Sequence, residues 1–111
     1  MQISDEQVGG VRVVTARGRL DGAASGPFGE HVLALIRTQR PKLLVDFTDV
    51  DFVTSAGLRA VLSILKQVKA MNGAFALCGV QTPVREVLDI TGFAGMIDIH
   101  PERTSALAAL A

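Results

Sequence analysis

The chain has 111 residues, a formal net charge of zero at pH 7 and an apolar fraction of 49%. That length is typical of one domain and that composition supports a core, so we expect residues 1–111 to form a single folded domain rather than a disordered segment. A chain with no basic excess, no Trp and no Tyr is not expected to bind nucleic acid directly by neutralising phosphates or stacking on bases.

The first elements that the sequence predicts are two strands, Ile3–Val8 and Val11–Ala16, joined by Gly9-Gly10. Gly-Gly between two strand-like runs is typical of a hairpin, and the weaker first run is expected at the sheet edge. The turn-rich passage from Gly18 to Gly26 leads into a helix whose first residue the pattern leaves open, and which ends before Pro41. Its inward face carries Phe28, Val32, Leu35 and Ile36.

The centre of the chain is predicted to be a buried strand, a short polar crossing, a second apolar step and then a turn of small residues that opens a helix. Lys42–Phe47 is an apolar run of the kind found in parallel sheets, and apolar residues recur at helical spacing from Leu58 until Asn72-Gly73. Thr54 or Ser55 is the predicted N-cap. Small residues in the following turn, Ala56 and Gly57, leave its amides open to approach.

The last third predicts a strand at Ala74–Gly79, a helix with Thr82 as N-cap, a strand at Met96–Ile99 and a helix at Pro101–Leu110. Gly92 is expected to end the helix that Thr82 begins. Strands that alternate with helices indicate βαβ units. The predicted fold class is therefore α/β, a small mixed, mostly parallel sheet with an N-terminal hairpin and helices packed against it.

Location and redox state follow from absences. No apolar run reaches the length that spans a bilayer, and Met1–Glu6 lacks the basic start and apolar block of a signal peptide. Cys78 is the single cysteine and has no partner for a disulfide within the chain. We expect a cytoplasmic protein without membrane contact, and we interpret Cys78 as a buried, inert thiol.

Enzyme chemistry is not supported by the residue pattern. His31 and His100 stand alone, and Ser55 lacks both the Gly-x-Ser-x-Gly context and an evident His partner. Strand alternation separates Asp46, Asp49 and Asp51, which we interpret as solvated turn carboxylates rather than as a magnesium site. We expect no catalytic activity, no metal and no cofactor.

Three motifs resemble one protein family. The stretch Phe52-Val53-Thr54-Ser55-Ala56-Gly57-Leu58-Arg59 is similar to the signature of STAS domains, the family of bacterial anti-sigma factor antagonists. Gly18-Arg19-Leu20-Asp21 resembles an early turn of that family and Asp89-Ile90-Thr91-Gly92-Phe93 a later one. The resemblance spans the whole chain and implies the STAS fold, including its strand order.

The resemblance also implies a partner-switching function. The unphosphorylated protein would bind an anti-sigma factor that is a serine kinase and so free a sigma factor for transcription. Phosphorylation of the serine that matches Ser55 would release the protein, and a separate phosphatase would reset it. The free protein is expected to be a monomer. The alternative is a STAS scaffold that does not switch, within a transport or signalling complex.

The resemblance places several residues at the partner contact, namely Asp21, Gly22, Thr54, Ser55, Ala56, Gly57, Leu58, Arg59 and Gly92. Thr54 departs from the acidic residue of the best-known members and is a second possible phosphate acceptor, while Ala56 replaces a second hydroxyl residue. Local pattern alone favours Ser55 as a plain N-cap. It allows Asp21 as a capping residue as readily as a contact residue, and it favours Gly92 as a helix end over a contact.

Overall fold

The structure is a computed structural model that describes residues 1–111. Five strands and four α-helices follow one another along the chain, with one short 3₁₀ turn at Phe93–Gly95. The strands are β1 (Gln2–Val8), β2 (Val11–Leu20), β3 (Lys42–Val53), β4 (Ala74–Cys78) and β5 (Asp98–His100). The helices are α1 (Gly22–Leu35), α2 (Ser55–Ala70), α3 (Thr82–Ile90) and α4 (Arg103–Leu110).

The strands form one sheet in the order β1-β2-β3-β4-β5. β1 runs antiparallel to β2 through a two-residue turn in which Gly9 has φ +57°, and every other pair is parallel. The predicted fold class, the hairpin and the edge position of β1 are confirmed. The strand order, which only the family resemblance could suggest, has three parallel crossovers, each of which connects a strand to the next strand in the sheet.

Helices cover both faces of the sheet. The larger core contains the inward residues of α1, α2 and α3, for example Phe28, Ile64 and Leu88. The smaller core lies under α4, whose Ala106 and Leu110 pack on the opposite face. Burial on both sides explains why Leu43 to Phe47 is continuously buried instead of alternating.

β3 is longer than predicted. The segment after Phe47 was interpreted as a polar crossing, but it continues the strand to Val53 and pairs with β2 as far as Leu20↔Val53. Val50 and Val53 face the core, whereas Asp49 and Asp51 are exposed on the strand and are not turn residues. β4 ends opposite Asp46, so the second half of β3 extends beyond it.

Other element ends also shift. α1 begins at Gly22 with Asp21 as its N-cap, so Pro27 lies in its second turn. α3 is capped by Gln81, not by Thr82, which is its first helical residue. The last strand and helix begin at Asp98 and Arg103, two residues later than predicted for each.

Asp46 is not the solvated carboxylate that the sequence suggested. It is only 9% exposed, and its two oxygens accept from the Thr48 amide and hydroxyl and from Arg103, with Arg103 Nη2 at 3.0 Å. Arg103 also donates to Thr15 Oγ1 and to Glu6 Oε1, both at 2.9 Å. These five residues, here called the Asp46 cluster, tie α4 to three strands.

The Asp46 cluster sets two pKa values. Burial alone would raise the pKa of Asp46, but the hydrogen bonds from Thr48 and the charge of Arg103 outweigh it and lower that pKa. Cys78 is fully buried beside the cluster; desolvation, reinforced by the negative charge of Asp46, raises the pKa of its thiol to about 12. Cys78 is thus the buried thiol that the sequence predicted, and its raised pKa disfavours the reactive thiolate form.

Candidate functional site

The site begins where β2 and β3 end together. Because these parallel strands are in register at Leu20 and Val53, the turns that follow them lie side by side at one edge of the sheet. The Thr54 amide donates to the Leu20 carbonyl at 3.0 Å and fastens one turn to the other. Asp21 and Ser55, which are 34 residues apart in sequence, therefore belong to neighbouring turns.

Thr54 is the N-cap of α2, which settles the choice between Thr54 and Ser55. Its extended backbone and its hydroxyl, which accepts from the Gly57 amide at 3.3 Å, are those of an N-cap. The same hydroxyl lies 3.4 Å from the Leu20 carbonyl oxygen, to which it donates. Thr54 Oγ1 therefore both donates and accepts a hydrogen bond within the fold.

Ser55 is the first residue of α2, and its side chain is exposed. The side-chain hydrogen bonds of this turn are those of Thr54, and Ser55 Oγ makes none. At the first positions of a helix the backbone amides lack intrahelical acceptors and carry the positive end of the helix dipole. Ser55 therefore presents a free hydroxyl in a locally positive environment.

Gly57 and Leu58, in the same first turn of α2 as the exposed Ser55, are buried. A Cβ at Gly57 would collide with the Leu20 carbonyl oxygen and lie 2.8 Å from Leu20 Cγ, so only glycine allows α2 to start this close to β2. Leu58 belongs to the core of the three-helix face. Both residues support the turn from inside, and their predicted contact with a partner stays a prediction.

Asp21 and Gly22 form the adjoining turn. Asp21 is half-buried and its carboxylate accepts from the Ala24 amide at 3.0 Å, so the capping interpretation describes its place in the fold. Gly22 is exposed, as is Arg59 one turn into α2, and Ala56 is half-buried. Whether these residues meet a partner stays a prediction.

Gly92 is exposed at the end of α3 with φ +80°, a left-handed conformation that favours glycine. Its helix-ending role explains the residue type without any partner. The structure gives no direct link between Gly92 and the Ser55 turn, and its proposed contact also stays a prediction.

Sequence reasoning missed one exposed feature beside the turn. Phe52 is 44% exposed, and the guanidinium carbon of Arg19 lies 4.5 Å from its ring centre. Arg19 and Phe52 are cross-strand neighbours, so they form a cation–π pair on the sheet next to Thr54. The sequence signal for this pair was Phe52, an apolar residue that the longer β3 exposes to solvent. That exposure could not be recognised before the strand was known to continue to Val53.

No helix of this chain combines the length and apolarity that a membrane crossing requires.

Comparisons with known proteins agree along the whole chain. A family model described as STAS domain matches residues 2–106. BtrV of Bordetella bronchiseptica, named as a candidate anti-sigma factor antagonist, is 28% identical over 109 residues, which cover 98% of this chain and 94% of BtrV. An anti-sigma F factor antagonist of Paenibacillus polymyxa is 29% identical over 111 residues, 99% of this chain and 95% of its own.

Solved structures have the same fold. An anti-sigma factor antagonist from Mycobacterium paratuberculosis matches with a TM-score of 0.89 at 23% identity, covering 98% of this chain and 92% of its own. The phosphorylated form of SpoIIAA, a Bacillus cell fate determinant, matches with a TM-score of 0.76 at 19% identity, covering 99% of this chain and 100% of its own.

Proposed function

This chain belongs to the STAS domain family, and from that premise we propose that it is an anti-sigma factor antagonist switched by phosphorylation of Ser55. In this proposal the unphosphorylated protein binds an anti-sigma factor with serine kinase activity, which frees a sigma factor. Phosphorylation of Ser55 by that kinase releases the protein, and a phosphatase restores binding. The names of the relatives support the general role.

The observation that carries the proposal is the division of labour between two adjacent hydroxyls. Thr54 Oγ1 caps α2 and also donates to β2, whereas Ser55 Oγ is exposed and makes no hydrogen bond. A kinase can therefore modify Ser55 without removing the helix cap. Modification of Thr54 would remove its donor to Leu20 and place a phosphate at a half-buried position, so Ser55 is the favoured acceptor.

A phosphate on Ser55 would be tolerated by the fold. It would add nearly two negative charges close to unpaired amides and to the positive end of the α2 dipole, both of which favour an anion. The first turn of α2 contains no acidic side chain that would repel it. The switch is therefore a change of surface charge and not a change of shape.

The cost of phosphorylation falls on the complex instead. A dianion at a contact that fits a neutral hydroxyl loses solvent and meets whatever carboxylates the partner presents, which costs several kcal/mol when no cation compensates. Each factor of ten in affinity corresponds to about 1.4 kcal/mol, so such a penalty suffices for release.

The docking face we propose comprises the exposed and half-exposed members of the two turns, Asp21, Gly22, Thr54, Ser55, Ala56 and Arg59, with Gly92 as a more distant contact. The kinase supplies ATP, metal and general base, so this chain itself needs no catalytic residue or cofactor. We propose that residues 1–111 act as one domain, a monomer when free, in the cytoplasm.

The test is a pull-down from the host's own lysate with four baits, wild type, Ser55→Ala, Ser55→Asp and Thr104→Asp. The last variant is a matched control, because Thr104 is also exposed in the first turn of a helix, α4, on the other face of the sheet. Mass spectrometry identifies the prey and maps phosphate on the wild-type bait.

We expect wild type, Ser55→Ala and Thr104→Asp to retain a serine kinase that Ser55→Asp loses, with phosphate on Ser55. If all four baits hold the same partner and Ser55 is never modified, the switch is wrong. The chain would then be a STAS scaffold that does not switch.

A further inference from the structure

Every charged residue on one side of α2 is a cation. From Ser55, the residues at intervals of four, three, four and three along the helix are Arg59, Leu62, Lys66 and Lys69. At about 100° per residue these positions lie within about 40° of one line. Arg59, Lys66 and Lys69 are exposed and Leu62 is half-buried between them. Arg59, Leu62, Lys66 and Lys69 are called the basic stripe below.

The charge of the basic stripe is not balanced within the protein. α2 contains no Asp or Glu, and none of its three cations takes part in an ion pair. Outside α2, Arg12, Arg17, Arg85 and Arg103 each pair with a carboxylate, whereas Arg19, Arg37, Arg40 and Lys42 do not. In a chain of zero net charge, this helix is a local concentration of positive charge.

The stripe also has a shape that a side chain can enter. Arg59, Leu62, Ser63, Lys66 and Gln67 line a shallow hollow of about 420 Å³. Leu62 packs on the core from within and offers a small apolar surface in the hollow, with a cation on either side along the helix. The Gln67 amide nitrogen lies 3.4 Å from Ser63 Oγ and helps to form the wall.

We propose that the basic stripe docks an acidic amphipathic helix of a partner protein. Arg59 and Lys66 are separated by seven residues, which is about 10 Å along the helix axis. A partner helix with carboxylates at the same spacing and an apolar side chain between them would match two cations and Leu62 together. Opposite charges facing each other speed encounter and fix the register of two proteins.

The identity of that partner as the anti-sigma factor rests on the proposed function, whereas its acidic character rests on the stripe alone. Ser55 lies at the first end of the stripe, four residues before Arg59. An anion at that position pairs favourably with a cation four residues later in a helix. A phosphate on Ser55 would therefore occupy Arg59 and repel the partner's carboxylates, which links the stripe to the switch.

The experiment follows amide shifts by NMR in the isotope-labelled full chain. The probe is a short synthetic helical peptide with two Glu seven residues apart and Leu between them, and the control peptide has Lys in place of Glu. We expect the Glu peptide to shift amides between Ser55 and Lys69, and the affinity to fall as salt is raised. The control peptide should leave these amides unchanged.

Charge reversal supplies the second arm. The double variant Arg59→Glu/Lys66→Glu should weaken peptide binding at least tenfold. Lys42→Glu should change it less than twofold, because Lys42 is an exposed, unpaired cation at the start of β3, the end of that strand remote from Ser55. Circular dichroism of each variant establishes that it is folded.

Three results would overturn the proposal. They are shifts that lie outside α2, equal weakening by Lys42→Glu, and stronger binding of the stripe to phosphatidylserine vesicles or duplex DNA than to the Glu peptide. The peptide experiment uses neither a kinase nor a phosphate. If the peptide does not bind the basic stripe, the Ser55 switch is unaffected, and if Ser55 is not a switch, binding of an acidic partner to the stripe is unaffected.

Discussion

Two polar regions of this molecule differ in how completely their side chains are hydrogen-bonded. They are the Asp46 cluster under α4 and the Ser55 turn at the start of α2. In the Asp46 cluster each carboxylate oxygen of Asp46 has a donor, and Arg103 binds three strands at once. In the Ser55 turn the Thr54 hydroxyl donates one hydrogen bond and accepts another, while the adjacent Ser55 hydroxyl makes none and is exposed.

The difference distinguishes a region that stabilises the fold from one that, in the proposed switch, serves partner binding. A buried polar group without a partner is costly, so a saturated network such as the Asp46 cluster is the expected arrangement inside a fold. A free hydroxyl on the surface costs nothing and is open to chemistry. We therefore expect changes in the Asp46 cluster to alter the free energy of unfolding, and changes at Ser55 to alter binding only.

The largest stability effect should come from Asp46→Ala. It would leave the half-exposed Arg103 guanidinium with Glu6 and Thr15 only, and the Thr48 amide and hydroxyl without their acceptor, so we expect a loss of about 2–3 kcal/mol in the free energy of unfolding. Urea denaturation measures it. The control is Asp49→Ala, which removes a pair with Arg17 in which both side chains are about 60% exposed. Its cost should be below about 0.5 kcal/mol, and equal costs would contradict the distinction.

Gly57→Ala should have the next largest effect. Its added methyl would collide with the backbone of Leu20, so α2 must move away from β2, at about 1–3 kcal/mol. Gly22→Ala is the matched control, since Gly22 also lies at the start of a helix but a Cβ there meets nothing within 4 Å. Thermal unfolding of both variants should show a lower midpoint temperature for Gly57→Ala and an unchanged one for Gly22→Ala.

Acid should weaken the Asp46 cluster selectively. Because the pKa of Asp46 is lower in the folded than in the unfolded state, ionised Asp46 favours folding. This contribution is complete above the unfolded pKa and is lost as pH falls through the folded pKa. We expect Asp46→Asn to show a shallower loss of unfolding free energy than wild type below about pH 4. Parallel curves would mean that the cluster does not perturb Asp46.

The smallest effects compare the two hydroxyls directly. Thr54→Ala removes the cap of α2 and a bond to β2, and should cost about 1–2 kcal/mol of unfolding free energy. Ser55→Ala should change it by less than about 0.5 kcal/mol, since Ser55 Oγ has no partner to lose. Urea denaturation measures the free energy of unfolding of the two variants side by side. A larger loss for Ser55→Ala than for Thr54→Ala would contradict the assignment of the cap to Thr54.

Local patterns in the sequence predicted what local physics determines. The Gly9-Gly10 hairpin, the apolar run at Lys42–Phe47 and the end of α2 at Asn72-Gly73 all lie close to their predicted positions. The α2 N-cap was narrowed to Thr54 or Ser55, because both hydroxyls suit the role. Only the position of the Gly57 amide and the Leu20 carbonyl assigns it to Thr54.

What the sequence could not predict depends on distant partners. In the sequence Asp46 resembles an ordinary polar residue at the end of a strand. No neighbouring residue indicates that it will bind Arg103, which is 57 residues later. The continuation of β3 is hidden because its register with β2 is irregular at two places, so that Val50 and Val53, three residues apart, are buried and no alternation is visible. Pairing with β2 holds this half of the strand in place. The cation–π pair of Arg19 and Phe52 depends on the same pairing.

The most direct test of the Ser55 switch uses the anti-sigma factor recovered by the pull-down, with this chain carrying either serine or phosphoserine at position 55. Calorimetry measures the affinity of each form, and urea denaturation measures the stability of each. We expect phosphorylation to weaken binding by about a hundredfold or more, which is about 2.8 kcal/mol, while the free energy of unfolding changes by less than about 1 kcal/mol. Equal affinities, or a loss of binding matched by an equal loss of stability, would contradict a switch that acts through surface charge at Ser55.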